Sequence, residues 1–236
     1  MTGVEAQAEL ALANRILALR GVVDAFGHVS ARHPERPDRF LIARNMAPAR
    51  VTPGDVVELD LDGEAVDPAA PRSYLERFIH AALYRARPDV MAVVHSHSPS
   101  VVPLGAVRGM TLRCVCHMGG FIGAGAPVFE IRDHAGPATS LLITDNRLGD
   151  ALAGTLADAA VVLMRGHGST VVGGSVPQAV FRAVYAEVGA RMQCEAMRLG
   201  EVVYLTEEEA RAAALANDGQ IGRAWSLWAE EAAAGG

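Results

Sequence analysis

The segment that most constrains this chain is residues 92–98, an apolar, β-branched run that ends in two histidines, His95 and His97. Such a run is typical of a buried strand. Because side chains alternate between the two faces of a strand, residues two positions apart project from the same face. We therefore expect two imidazoles side by side at the end of a buried strand, forming half of a metal or catalytic site.

A third histidine has a similar setting. His167 lies between two glycines, directly after the buried apolar run 160–164. Glycine lets the backbone turn sharply, so this segment can present an imidazole at a sheet edge. The competing interpretation of Gly-His-Gly is a plain tight turn, and the spacing by itself favours neither.

Glu76 is the candidate for a fourth ligand. Three histidines with a labile carboxylate or water leave a metal with an exchangeable position, which suits catalysis better than a closed site. However, Ser73-x-x-Glu76 is also a capping-box pattern, in which the glutamate only caps its own helix. Spacing does not separate these two roles.

The rest of the chain alternates helical and strand patterns, which predicts a layered α/β domain. Short turns join several strand pairs, so we expect a mixed or mainly antiparallel sheet. No linker or repeat divides the chain, and a single domain over 1–236, with a helical tail from about residue 206, is predicted. Predicted helices cover 4–20, 73–87, 145–156, 175–199 and a segment from 206; predicted strands cover 27–32, 40–44, 56–60, 90–98, 140–144, 161–164, 171–172 and 202–205; and 118–125 is predicted to be an irregular loop.

Composition excludes several classes of function. The formal net charge is −6 and the arginines are dispersed, which argues against nucleic-acid binding. Three cysteines do not make a disulfide framework, and no apolar run approaches the length of a membrane span. The first residues carry acids and no basic segment, unlike a signal peptide, so a cytoplasmic location is expected. The glycine-rich stretches match neither phosphate-binding nor dinucleotide-binding loops, and there is no Gly-x-Ser-x-Gly motif.

Taken together, these residues resemble the class II aldolase/adducin family. The resemblance runs from about residue 5 to 210, and its motifs are specific only in combination. The matching elements are Gly27-His28-Val29-Ser30-Ala31-Arg32, Glu76-x-x-x-His80 followed by Arg87-Pro88-Asp89, His95-Ser96-His97 and Arg165-Gly166-His167-Gly168.

The resemblance implies a single three-layer α/β/α domain around a mainly antiparallel sheet. It also implies a homotetramer with active sites between subunits. One divalent ion per subunit, zinc or manganese, is expected on His95, His97 and His167. By the same resemblance, Glu76 ligates the metal at rest and swings away to act as acid or base when substrate binds.

Departures from the sugar-phosphate members of the family indicate a different substrate. Those members have Gly-Asn-x-Ser where this chain has Gly27-His28-Val29-Ser30. At two further places, this chain also lacks the small residues that form the phosphate-binding site in those members. Arginine and histidine at such positions can receive a carboxylate through charge-assisted hydrogen bonds. The substrate-binding candidates are His28, Ser30, Arg44, Asn45, Arg72 and Ser73. His117 lies near the position of an aldolase tyrosine that donates a proton from the neighbouring subunit.

This pattern resembles the branch that decarboxylates hydroxylated aromatic or pyridine carboxylic acids. The leading hypothesis is therefore a metal-dependent decarboxylase of a small-molecule hydroxylated aromatic or heteroaromatic (di)carboxylate, with Glu76 or His117 protonating the ring carbon. An aldolase or epimerase acting on a hydroxylated sugar-like substrate is the main alternative. A non-catalytic, adducin-like interaction module is a third, and the intact set of candidate ligands argues against it.

Overall fold

A computed structural model describes residues 2–234. Met1, Gly235 and Gly236, the ends of the predicted 1–236 domain, lie outside the described residues. The helices are α1 Gly3–Leu19, α2 Arg77–Ala86, α3 Val101–Ala106, α4 Arg132–Ala135, α5 Asn146–Leu156, α6 Val176–Leu199, α7 Glu207–Asp218 and α8 Ile221–Ala234, and the strands are β1 His28–Arg32, β2 Arg39–Ala43, β3 Val56–Asp60, β4 Ala92–Ser96, β5 Val128–Phe129, β6 Val161–Met164 and β7 Gly168–Gly173.

The strands form one mixed sheet in the order β3-β2-β1-β4-β7-β6-β5. Five of the six neighbouring pairs are antiparallel, and the short β5 pairs with β6 in parallel. β4 lies at the centre, between β1 and β7, with His95 opposite His28 on one side and Thr170 on the other. The strand that carries the first histidine of the pair is therefore shielded from both sides.

Helices cover both faces of this sheet because the side chains of each strand alternate. In β4, Val94 joins a cluster with α1, α6 and α8, whereas the adjacent Val93 joins a cluster with α2 and α5. Both valines are fully buried. Two apolar cores, one on each face, thus hold β4 rigidly in place.

Three of the predicted helix ends are confirmed, and each has a recognisable capping feature. Ser175 accepts a hydrogen bond from the backbone N–H of Gln178 at the start of α6. Thr206 and Glu209 form a reciprocal capping box at the start of α7. α1 ends at Leu19 and is followed by Gly21 in the left-handed conformation. These ends are set by local chemistry, which is visible in the sequence.

Three predicted elements are wrong. Residues 140–144 are not a strand: Leu141 has φ +69°, and the N–H of Ile143 is donated to a side chain instead of a neighbouring strand. Residues 202–205 form no strand either, although the N–H of Leu205 reaches the carbonyl of Cys114. The predicted loop 118–125 contains a 3-10 helix, His117–Ile122, packed on α7.

Across residues 2–234, none of the helices combines the length and the apolar character that spanning a membrane requires. The three cysteines are free thiols.

Candidate metal centre

Four side chains predicted from three distant parts of the sequence converge at the end of β4. The Nε2 atoms of His95 and His97 are 3.2 Å apart, and those of His97 and His167 are 3.0 Å apart. Oε2 of Glu76 lies 3.5 Å from Nε2 of His95 and 3.4 Å from Nε2 of His167. One potential ligand atom from each residue lies within 4.8 Å of every other. We call these four residues the histidine–glutamate cluster.

The β6–β7 hairpin brings His167 to this point. The two strands pair directly, with Met164 opposite Gly168, so residues 165–167 form the tight connection. Gly166 has φ +66°, a conformation that favours glycine. Gly168 is needed for a different reason, because a Cβ there would lie 2.1 Å from the carbonyl oxygen of Ser96 on β4. One glycine permits the turn and the other permits the approach of β7 to β4.

Hydrogen bonds behind two of the rings determine which nitrogen faces the cluster. Nδ1 of His167 lies 3.0 Å from the carbonyl oxygen of Leu141, which accepts only, so Nδ1 carries the proton. Nδ1 of His95 lies 3.4 Å from Oγ1 of Thr170, whose own hydroxyl faces Sδ of Met164 at 3.6 Å. Both arrangements leave Nε2 unprotonated and able to bind a metal, as is usual for histidine ligands.

Glu76 is held by backbone and does not cap its helix. It occupies the N-cap position of α2 without a side-chain capping bond, so the predicted helix start at Ser73 is also wrong. Its Oε1 accepts a hydrogen bond of 2.9 Å from the N–H of Ile143, while Oε2 faces the histidines. Burial raises the pKa of Glu76, but the neighbouring His167 and His95 and the N–H of Ile143 outweigh burial and bring this pKa below its ordinary value.

The donor set fits a divalent cation. Burial lowers the pKa of His95 well below its ordinary value and also lowers that of His97, so both rings present neutral nitrogens. Three imidazoles and one carboxylate suit zinc or manganese equally. Four of the spacings between donor atoms are 3.0–3.5 Å, and all donor atoms lie within 4.8 Å of one another, close enough to share one ion at metal–nitrogen distances of about 2.0–2.1 Å.

A cavity of about 390 Å³ opens beside the cluster, a size usual for small-molecule sites. Glu76 and His97 form its floor. Apolar side chains make up much of the wall, and two of them, Phe26 and Leu75, remain 67% and 48% exposed at the surface. The remaining lining residues are Ala25, Gly27, His28, Asn45, Met46, Ala47, Tyr74 and Leu142.

Of the six predicted substrate-binding residues, only His28 and Asn45 line this cavity. Ser30 is completely buried, and the Ser73 hydroxyl donates to the carbonyl of Ala43. Nε of Arg44 pairs with Asp55 at 2.7 Å, and the Arg44 side chain does not line the cavity of its own chain. Arg72 is exposed and also lies outside the lining, so the chain's own cavity contains no arginine.

His117 begins the 3-10 helix, away from the cavity lining. Its backbone carbonyl accepts a 2.7 Å hydrogen bond from Asn217 of α7, and the residue is exposed. The structure therefore does not bring His117 to the cluster of its own chain.

Sequence reasoning does not single out the residues that support the cluster. Two of them act through their backbone, the carbonyl of Leu141 and the N–H of Ile143, and Thr170 acts through its hydroxyl. None of these groups forms a recognisable sequence motif. A non-glycine residue at φ +69° such as Leu141 leaves no signal in its residue type. For Thr170, the register of β7 opposite His95 is the one available clue.

Comparisons with known proteins agree with this geometry. The family model described as the Class II Aldolase and Adducin N-terminal domain matches residues 8–194. Decarboxylase tropJ of Talaromyces stipitatus is 38% identical to this chain, over 94% of this chain and 91% of that protein. A 3,4-dihydroxyphthalate decarboxylase of Arthrobacter keyseri is 32% identical, over 85% of this chain and 82% of that protein.

A crystal structure of an aldolase II superfamily protein from Pseudomonas syringae superposes with a TM-score of 0.81 at 24% identity, covering 100% of this chain and 94% of that one. That likeness shows the shared fold, and the match of the family model extends over most of the chain. This protein belongs to the class II aldolase and adducin N-terminal domain family.

Proposed function

We propose that this protein is a divalent-metal-dependent decarboxylase of a hydroxylated aromatic or heteroaromatic carboxylic acid. The observation that carries the proposal is the apolar wall of the cavity beside the histidine–glutamate cluster. Phe26, Met46, Leu75 and Leu142 offer flat or aliphatic surface to a ring, and no arginine lines the cavity to hold a phosphate dianion. The two relatives named as decarboxylases support the same class of reaction.

His95, His97, His167 and Glu76 would hold the ion. When bound, a divalent metal supplies a Lewis acid that stabilises negative charge on the oxygens of an ortho-hydroxy carboxylate. The surrounding side chains orient the ring and exclude water from it, and the buried position of Glu76 keeps that carboxylate out of bulk solvent.

The chemical step breaks the bond between the ring and the carboxylate carbon. A general acid first protonates the ring carbon that carries the carboxylate, which interrupts aromaticity; CO₂ then leaves, and the bonding pair returns to the ring and restores aromaticity. Glu76 is one candidate for the acid, because it lines the cavity, with Oε2 beside the histidines and Oε1 anchored to the N–H of Ile143. His117 is the other candidate, acting from a neighbouring subunit of the expected homotetramer. A well-placed acid contributes about 10²–10⁴ in rate.

The test is to incubate the purified protein, reconstituted with zinc or manganese, with 3,4-dihydroxyphthalate and a panel of hydroxylated aromatic acids, and to measure CO₂. We expect release that a chelator abolishes, that added metal restores, and that Glu76→Gln lowers by at least about 10²-fold. Thr155→Val on α5, whose hydroxyl bonds only within its helix, serves as the matched control. Aldehyde release from a ketose phosphate, without CO₂ release from any acid, contradicts the proposal.

A further inference from the structure

A chain of hydrogen bonds runs from the cavity wall into the protein interior. Nδ1 of His28 lies 2.6 Å from Nε2 of His80, Nδ1 of His80 lies 2.6 Å from Oγ of Ser30, and this oxygen lies 2.7 Å from the hydroxyl of Tyr84. We call these four residues the His28–Tyr84 chain. Three of its members are at most 1% exposed, and His28, at the cavity, is 4% exposed.

Secondary structure explains why the four residues meet. His28 and Ser30 are two positions apart on β1 and share a face. His80 and Tyr84 are four positions apart on α2 and share a side of that helix. Arg32 fixes the inner end, because its guanidinium stacks over the Tyr84 ring at 4.8 Å and donates to the carbonyl of Tyr84 at 2.7 Å.

The protonation states in this chain are simple. Burial lowers the pKa of His80 to about 3, so its ring is neutral and carries one N–H. Burial raises the pKa of Tyr84, so the phenol keeps its proton. Each hydroxyl and each neutral ring therefore brings one hydrogen to the chain.

Only one direction of donation uses every hydrogen between these groups. If Tyr84 donates to Ser30, Ser30 to Nδ1 of His80, and Nε2 of His80 to Nδ1 of His28, each bond has a donor and an acceptor. The reversed direction leaves the hydrogen of the Tyr84 hydroxyl without an acceptor among residues 2–234. A buried donor without a partner costs about 1–3 kcal/mol, so the first direction is favoured.

From this direction we propose that the His28–Tyr84 chain holds His28 with its proton on Nε2, so that His28 donates a hydrogen bond to an oxygen of the substrate. No group among residues 2–234 bonds Nε2 of His28, and the residue lines the cavity. His80, Ser30 and Tyr84 are then positioning residues. The inference rests on the proposed function. It identifies His28 as the residue of this protein that donates a hydrogen bond to a carboxylate or phenolate oxygen of the substrate, in a cavity that no arginine lines.

Nuclear magnetic resonance tests the direction without any need for turnover. In protein with ¹⁵N-labelled histidine and bound zinc, the His28 and His80 rings are assigned by comparison with His28→Gln and His80→Gln. We expect both rings to be protonated at Nε2, with a ¹⁵N–¹⁵N coupling across the bond from His80 to His28. A proton on Nδ1 of His28 overturns the proposal.

Tyr84→Phe sharpens the same measurement. In the proposed direction Ser30 still donates to His80 after the phenol is lost, so both rings stay protonated at Nε2. In the reversed direction Tyr84 is the final acceptor, and its loss changes the protonation pattern of both rings. Tyr185 lies on α6 and is not part of the His28–Tyr84 chain, so Tyr185→Phe is the matched control for the loss of a phenol. A changed pattern in Tyr84→Phe alone overturns the proposal.

Steady-state kinetics with 3,4-dihydroxyphthalate test the donor role of His28. His28→Leu removes the donor, and we expect KM to rise roughly 10- to 100-fold with a smaller change in kcat. His28→Gln keeps an N–H donor and should recover part of that loss. Equal KM values in both variants overturn the donor role. If the unaltered protein releases no CO₂, that result contradicts the proposed function and not this inference. The direction of the His80–His28 hydrogen bond is then still given by the ¹⁵N spectra.

Discussion

Among single residues, Thr170 shows how a group without a motif controls a site. Its Oγ1 lies 3.4 Å from Nδ1 of His95, and its hydroxyl has Sδ of Met164 as a second neighbour. The hydroxyl donates its hydrogen to this sulfur, so its oxygen is left to accept the proton on Nδ1 of His95. The result is a His95 ring with Nε2 free to bind a metal.

Thr170→Val preserves the shape of this side chain and removes the acceptor. We expect metal affinity to fall by about 10- to 100-fold, the usual effect of losing a partner behind a histidine ligand. Competition with a chelating dye measures the affinity. Thr155→Val removes the same hydroxyl from α5, away from the cluster, and should leave the affinity unchanged. Unchanged affinity in Thr170→Val would show that Thr170 does not orient His95.

Among the elements, the β6–β7 hairpin depends on two glycines for different reasons. Gly166 has φ +66° and open space around its missing side chain, the nearest atom being 3.8 Å away on Leu141. Gly168 has an ordinary strand conformation but lies against the backbone of β4, where a Cβ would be 2.1 Å from the carbonyl oxygen of Ser96 and 3.2 Å from the His97 ring.

Alanine at the two positions should therefore act differently. Gly166→Ala costs about 1–2 kcal/mol of the free energy of unfolding because of its left-handed backbone, and metal binding is kept because the hairpin retains its register. Gly168→Ala forces β7 away from β4, costs about 3 kcal/mol and disturbs the spacing of His97 and His167. Urea unfolding and metal titration of both variants check this. Equal effects on metal binding would contradict the distinction.

The elements also show what the sequence can predict. β4, α6 and the start of α7 are predictable because periodicity and capping residues are local signals. Residues 140–144 look like a strand, yet their backbone groups are used by His167 and Glu76, which are distant in sequence. Gly120 looks like part of a loop, whereas a Cβ there would lie 2.5 Å from the backbone of α7. Tertiary packing decides these segments, and no local pattern reports it.

The same limit applies to the candidate site. The three histidines and the glutamate are predictable because their residue types and positions at the ends of elements are typical of metal chemistry. The ion-pair partners of the arginines are not predictable in the same way. The sequence does not show, for example, that Asp55 lies 2.7 Å from Arg44 and forms an ion pair with it. His28 lies at the cavity as predicted, but its partners His80 and Tyr84 lie on another element.

For the whole molecule, the arrangement of His117 and the cluster suggests how copies of the chain cooperate. His117 is exposed and anchored by its backbone to α7, whereas the cavity beside the cluster is lined by other residues. If His117 serves as the proton donor, it must reach a cavity other than the one in its own chain. In a closed ring of identical subunits each chain would then complete the site of its neighbour.

Mixing two inactive variants tests this arrangement. Glu76→Gln disables the cluster but leaves His117 intact, and His117→Ala has the opposite defect. When equal amounts are unfolded together and refolded, about half of the sites contain an intact Glu76, and about half of those face an intact His117 from the neighbour, so activity should recover to roughly one quarter of the unaltered protein. CO₂ release from 3,4-dihydroxyphthalate measures the recovery, and light scattering measures the number of subunits. A mixture no more active than the separate variants would contradict a site shared between subunits, whereas full activity of His117→Ala on its own would leave Glu76 as the candidate acid.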